Sequence, residues 1–374
     1  MKIVYIASSI IPSRTANGIH VMKMCQAFAR NGHEVTLIVP DHRTGVEPGV
    51  TDVHKFYGVE ACFDIRRESL PRIKGRGYVF AVRAALHARS LNPDLVYGRD
   101  TSSCAVSAWL HLPTVFETHE PVHTSQPVVR WLFDRMLRSP GLLRIVAITE
   151  ALKDDYTHRY PQLKCDIVVA PDGADPMSPE NAPVQSDADG SFDVGYVGHL
   201  YLGKGIDVIE QLAAACSWAT FHIIGGRSSD IEEAKPRCGN LPNMKFHGFV
   251  PPAKVDAYRL MCDVLIAPYQ NNVTSNAGKS IGNWMSPLKI FEYMAAGKAI
   301  VCSDIPVLRE VLSHGETALL VPPADISAWE TALQCLFEDP ELRQRLGQEA
   351  QRVFLEKYTW VARARGSLEG LQVT

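Results

Sequence analysis

Short apolar runs alternate with amphipathic stretches along the first half of the chain. KIVYIA is followed by a predicted helix from about Gly18 to Arg30, then EVTLIVP, and later DLVYGR, PTVFET, LRIVAI and DIVVAP. Val21, Met24, Cys25, Phe28 and Ala29 recur at helical spacing and leave a polar opposite face. Strands alternating with helices in this manner predict a parallel sheet covered on both faces.

After IVVAPDGAD the pattern breaks at PMSPENAPVQSDADGSFD, a polar stretch rich in Pro, Ser, Asp and Asn that is long for a connection inside one domain. The alternation then restarts with FDVGYVG, a helix from about Gly205 to Cys216, TFHIIG, MKFHG, DVLIAPY, a helix through Lys289 to Ala296, AIVCSD and TALLVP. The chain is therefore read as α/β, with two doubly wound Rossmann-like domains. The first covers residues 1–175, a linker 176–192 and the second domain 193–357, with a helix over 358–374 crossing back onto the first. Ligand is expected in the crevice outside the carboxyl ends of the strands.

The 374-residue length fits two domains better than one core. The nine cysteines are scattered and form no C-x-x-C pair, which suits reduced thiols in a cytoplasmic protein. No basic leader with a long apolar core and no run of about 18 apolar residues is present. The net charge of −3 conceals a split, since residues 1–172 hold 21 Lys+Arg against 17 Asp+Glu and the remainder 17 against 24. This favours an anionic contact for the first domain, beside the plainer reading of a modest surface bias.

Two stretches carry candidate chemistry. YVGHLYLGKG leaves a strand, turns on Gly198 and Gly203 and sets Lys204 at a helix start, where unpaired backbone N–H groups and a lysine form an anion site. Its spacing nears that of the NTPase phosphate loop, but Gly205 stands where a magnesium-binding Ser or Thr belongs. A plain strand–turn–helix corner is the alternative. In MSPLKIFEYMAAGKAIVCSD, Ser286 and Pro287 read as N-cap and first helical residue, and Leu288, Phe291, Met294 and Ala295 as a buried stripe. The amides of Leu288 and Lys289 suit a phosphate, and the Glu292 carboxylate suits a pair of sugar hydroxyls. A capped amphipathic helix with an exposed glutamate is the alternative here.

These runs, in order with IASSIIPSRTANGIHVMKMCQAFARNGHEV, ETHE, VAITEALKDDY, VAPDGAD and FHGFVP, resemble the retaining glycosyltransferases of family 4, over nearly the whole chain. The resemblance implies the GT-B architecture, two such domains facing a central cleft that closes over the donor. It implies a hexosyltransferase that moves a sugar from a UDP- or GDP-sugar to a glycan or lipid-linked acceptor in cell-surface polysaccharide biosynthesis, with retention and without a metal or other cofactor. Catalytic work falls to His119, Lys204 and Glu292, with His119 beside the donor sugar, Lys204 on the diphosphate and Glu292 on the ribose. Donor binding adds Gly18, His199, Ser286, Leu288 and Lys289.

Two positions depart from the family pattern. His199 replaces an arginine, which makes one charge on the leaving diphosphate titratable. Trp284 replaces the first glutamate of the E-x7-E pair, which leaves the donor sugar open. A nucleotide-sugar-binding protein without transferase activity, or a GT-B epimerase, is the alternative reading.

The one D-x-D run, Asp187 to Asp189, falls in the linker and is read as solvated. H-E-x-x-H, clustered Cys/His spacing and G-x-G-x-x-G after the first strand are missing, and no nucleic-acid partner is expected. Arg66, Arg67, Arg72, Lys74, Arg76, Arg83 and Arg89, with Trp131, Leu132 and Phe133 among the arginines of VVRWLFDRMLRSPGLLR, suit an anionic bilayer at the inner face of the plasma membrane. A buried helix with a basic outer edge is the alternative.

Overall fold

Both apolar alternations become parallel sheets in the computed structural model, which describes all residues except 43–44, 179–181, 186–191, 201–202, 227, 233–240, 274–281 and 373–374. The chain divides into two compact units, Met1–Asp172 together with Trp360–Thr374, and Gly173–Thr359.

The first unit holds β1 (Lys2–Ile6), β2 (Glu34–Pro40), β3 (Asp64–Glu68), β4 (Leu95–Gly98), β5 (Thr114–Thr118), β6 (Leu142–Ala147) and β7 (Asp166–Val169), in spatial order β3-β2-β1-β4-β5-β6-β7. Ile3 to Ile6, Leu37 to Val39, Leu95 to Tyr97 and Ile145 to Ala147 are wholly buried, as strands covered on both faces must be. β3, with sequence DIRRE, is the exposed edge, and its charges discourage pairing with another chain.

The second unit holds β8 (Phe192–Val197), β9 (Ala219–Ile224), β10 (Met244–Gly248), β11 (Val264–Ala267), β12 (Ala299–Ser303) and β13 (Leu319–Val321), in order β10-β9-β8-β11-β12-β13. Val194, Tyr196, Phe221, Val264, Ile266 and Val301 form its core with Trp329, Leu333 and Leu336 of the helix Ile326–Glu338. In each sheet the strand order reverses once, beside β1 and β4 or beside β8 and β11. The loops leaving those strands are where such sheets hold ligands.

Helix starts follow local capping, and two differ from the sequence reading. The first helix begins at Ala16 rather than near Gly18, because the Thr15 hydroxyl accepts the Gly18 N–H and caps the turn. The helix Leu288–Ala295 has Pro287, not Ser286, as its N-cap. Ser286 is buried one position before the N-cap, and Pro287 itself makes no side-chain cap. The helix Ile206–Ala215 starts after Gly205, which sits at φ 89°. Asp187 to Asp189 lie outside the described residues.

Candidate functional site

In the second unit, the loop leaving β8 at the reversal point is forced into shape by glycine. Gly203 and Gly205 have φ of 83° and 89°, and a Cβ on them would stand 2.3 Å from the Asn272 carbonyl oxygen and 2.0 Å from that of Pro268. Only a residue without a side chain lets the loop lie against that backbone. Lys204, between them, places Nζ 4.8 Å from the Tyr269 ring centroid.

Lys289 rises from the first turn of the helix Leu288–Ala295 into the same place. Its Nζ lies 3.8 Å from the Tyr196 ring centroid and 5.1 Å from that of Tyr269. Nζ is buried and finds no hydrogen-bond partner among the described residues. Burial first, and the Lys204 charge second, hold the Lys289 ammonium well below the usual lysine range, while burial brings Lys204 down to about 8. Two lysines that share the Tyr269 face beside a helix N-terminus are an arrangement that favours an anion. His199 is exposed, and its carbonyl accepts from the Tyr196 hydroxyl at 2.7 Å. Trp284 is half-buried.

Glu292, one turn beyond Leu288, is gripped by Arg259 of the helix Pro252–Met261, which also holds Asp256. One carboxylate oxygen, Oε2, takes the guanidinium. An ionised acid retains acceptor capacity on the other.

In the first unit, His119 directly follows β5 and its Nε2 lies 2.5 Å from Glu117 Oε1. Glu117 is wholly buried. Its Oε2 accepts from the Tyr97 hydroxyl at 2.5 Å and from Arg363 Nη1 at 3.0 Å, and Arg99 Nε stands 3.8 Å from Oε1. Arg363 comes from the helix Trp360–Leu368 and also donates to the carbonyls of Pro171 and Ala170. Burial would raise the Glu117 carboxyl, but Arg363, His20 and the His119 hydrogen bond outweigh it and hold it well below the carboxylate range. Burial first, then the Arg99 charge, lowers His119 to about 4.

His20 Nδ1 meets Asp172 Oδ1 at 2.9 Å, while its Nε2 lies 2.7 Å from Glu117 Oε1 without hydrogen-bond geometry. Ligand atoms of His20, Glu117 and His119 fall within 4.8 Å of one another. The carboxylate is already shared by Arg363 and Tyr97 with Arg99 nearby, so the local charge disfavours a further cation. Packing and capping both bear on Gly18. A Cβ there would stand 2.7 Å from the Tyr57 hydroxyl, and its N–H serves Thr15.

The structure thus brings Lys204, Lys289, Leu288 and Glu292 to the carboxyl-end loops of one sheet, and His119 to those of the other. Sequence reasoning missed Tyr196, Tyr269, Arg259, Glu117, His20 and Arg363. Glu117, two residues before His119, His20, two after Gly18, and Tyr196, three before His199, stood near residues already singled out, whereas Tyr269, Arg259 and Arg363 did not.

Residues 178–353 match the family described as Glycosyl transferases group 1, and residues 18–177 match Glycosyltransferase Family 4. The phosphatidyl-myo-inositol mannosyltransferase of Mycolicibacterium smegmatis (strain ATCC 700084 / mc(2)155) is 30% identical over 210 residues, 53% of this chain and 50% of that protein. The chain therefore spans about half the length of this relative in the match. The GDP-mannose-dependent alpha-mannosyltransferase of the same organism is 23% identical over 389 residues, 96% of this chain and 94% of that one. Among solved structures, Anabaena Alr3699/HepE in complex with UDP superposes with a TM-score of 0.71 at 18% identity, covering 99% of both chains. WaaG, a glycosyltransferase involved in lipopolysaccharide biosynthesis, does so with 0.64 at 12% identity, covering 98% of both. These likenesses carry the fold.

Proposed function

Because this chain belongs to glycosyltransferase family 4 and has the GT-B fold, we propose that it moves a sugar from a nucleotide-diphosphate sugar to a hydroxyl of a glycan or lipid-linked acceptor. The observation that carries this reading is the Lys204–Lys289 pair, two desolvated ammonium groups over Tyr269, one of them without a hydrogen-bond partner among the described residues. A buried cation is costly unless something anionic meets it. A diphosphate supplies one charge for each lysine.

In the proposed reaction the diphosphate departs, positive charge grows on the sugar's anomeric carbon, and the acceptor hydroxyl enters on the face the diphosphate leaves, so configuration is retained. Lys204, Lys289 and the amides of Leu288 and Lys289 stabilise the charge that develops on the leaving diphosphate. Fixed groups of this type each lower the barrier by roughly 2.7–4 kcal/mol. No metal is needed in this scheme, since the two lysines take the role of a divalent cation. Glu292, aligned by Arg259, accepts from the ribose hydroxyls. The reading assigns His119 and Gly18 to the sugar end, and His199 and Ser286 to the phosphates.

The reading places the enzyme on the inner face of an anionic membrane, making cell-surface polysaccharide. Tyr78, Val82 and Leu86 lie exposed one turn apart on the helix Arg76–Ser90, among Arg72, Lys74, Arg76, Arg83 and Arg89. On the helix Pro127–Met136, Val128 and Trp131 are exposed, whereas Leu132 and Phe133 belong to the core. Trp131 meets Trp109 edge-on at 6.0 Å, with Arg135 5.3 Å from its ring centroid. Among the described residues no helix is long and apolar enough to cross a membrane.

The test pairs a thermal-shift panel of UDP-, GDP- and ADP-sugars with transfer from the one that binds. A ligand that prefers the native state raises the melting temperature. Labelled donor should give a new glycosidic bond with wild type and about 100-fold less with Lys204→Ala. Full turnover by that variant, or an isomerised nucleotide sugar as product, sinks the proposal.

A further inference from the structure

Glu117 is a buried acid to which the proposed reaction gives no task. Its two oxygens have different neighbours. Oε2 is taken by the Tyr97 hydroxyl and by Arg363, a side chain that can only donate. Oε1 faces two imidazoles, His119 Nε2 at 2.5 Å and His20 Nε2 at 2.7 Å, of which only the first has hydrogen-bond geometry. With Arg363 and Arg99 on its two sides the acid is ionised and cannot donate. A carboxylate at Oε1 therefore requires a proton on His119 Nε2. Nδ1 of the same ring makes no hydrogen bond among the described residues.

We infer that Glu117 is a positioning residue that sets the tautomer of His119, keeping its proton on Nε2 and leaving Nδ1 as an acceptor for a hydroxyl of the donor sugar. The inference rests on the assignment of His119 to the sugar end of a nucleotide sugar. The choice matters because an imidazole that is neutral above about pH 4 presents either an acceptor or a donor at a given nitrogen, never both. A hydroxyl donating to Nδ1 is recognised only in the tautomer that Glu117 enforces. Among the described residues no second hydrogen bond to the ring fixes the tautomer, and His20 meets it edge to face at 4.9 Å between centroids.

Glu117→Gln tests this with little change of shape. Arg363 admits only an acceptor, so the glutamine oxygen takes the Oε2 place and its NH2 group takes that of Oε1. That group donates to His119 Nε2, and the imidazole proton must move to Nδ1. Long-range 1H–15N correlation spectra of histidine-labelled protein, with the His119 signals assigned by their loss in His119→Asn, read the tautomer directly. Wild type should show the Nε2–H form and Glu117→Gln the Nδ1–H form. In parallel, calorimetry compares the intact nucleotide sugar with the bare nucleoside diphosphate. The variant should lose about tenfold in affinity for the sugar nucleotide, one hydrogen bond's worth, and nothing for the diphosphate. Wild type in the Nδ1–H form, no exchange of tautomer, or equal losses for both ligands overturns the inference. If Glu117→Gln does not fold, Glu117→Asp replaces it, and a carboxylate there must keep the Nε2–H form or the inference is wrong. Failure of the nucleotide-sugar reading looks different, as wild type in the Nε2–H form binding no nucleotide sugar at all.

Discussion

Lys204 and Lys289 sit in surroundings that penalise their own charge, and this has consequences for pH. With Lys204 brought down to about 8, a growing fraction of the empty site loses its cation as pH rises through 8. A bound diphosphate favours the charged form and restores the higher value. Donor binding should then take up protons near pH 8 and weaken as pH rises above it, which calorimetry in buffers of different ionisation heat measures. For stability the sign is opposite. A lysine lowered in the folded state is penalised below that value, and the empty protein gains stability as pH rises from about 8 toward the lysine's unfolded value. Lys289→Met isolates the same effect, since it removes a buried, unpartnered ammonium and keeps the aliphatic stem. We expect it to melt higher than wild type, by about 2–4 °C per kcal/mol recovered, and to lose nucleotide-sugar binding in the thermal-shift panel. Neither lysine's setting was legible in the sequence beyond its place at a helix start. Tyr196 and Tyr269 belong to different strand ends, and Arg259 is 33 residues from Glu292. Only the folded sheet brings them together.

At the scale of elements, strands were the most legible part. Parallel strands buried on both faces are mostly apolar, as IVYI of β1 and VLIA of β11 are, and TVFET of β5 departs from this at its threonines and at the buried Glu117. Helix starts were less so, because a cap is a contest among neighbouring residues. Thr15 wins it three residues before Gly18, while Ser286 loses to Pro287, whose extended backbone (φ −79°, ψ 122°) already turns the chain into the helix. With Pro287 in the N-cap place, the N-cap residue itself has no side chain to satisfy the first amides, which suits an anion there. The loop before Ile206–Ala215 is the opposite case, fixed by glycines that no substitution can imitate. Gly205→Ala places a methyl 2.0 Å from the Pro268 carbonyl oxygen and imposes a left-handed backbone that costs a non-glycine residue about 1–2 kcal/mol by itself. A fall in denaturant midpoint of at least that size, with loss of donor binding, is the expected outcome. An unchanged midpoint contradicts the loop geometry.

For the whole molecule, the division of charge gains a physical place. The stretch 66–89, with six arginines and a lysine, also carries exposed Tyr78, Val82 and Leu86, so positive charge and uncovered apolar side chains occur on the same segment. Part of the expected apolar face proved to be core, since an amphipathic helix must spend one stripe on its own unit and the sequence does not say which stripe faces out. Vesicles of anionic lipid should therefore bind the protein and neutral vesicles should not, with binding falling as salt rises. Trp131→Ala should lower it without moving the melting temperature, because that ring is 52% exposed. Equal sedimentation with both lipids would remove the membrane from the proposal.

Arg363 is separated from Glu117 by 246 positions of chain, yet it is the cation that makes this buried acid tolerable. During synthesis the sheet of the first unit leaves the ribosome long before that guanidinium does. Until Arg363 emerges, Glu117 must stay protonated, solvated or otherwise out of its final place, while the second unit, encoded between the two, already has every strand it needs. The first unit therefore gains its full set of contacts to Glu117 only after the chain of the second unit has been made.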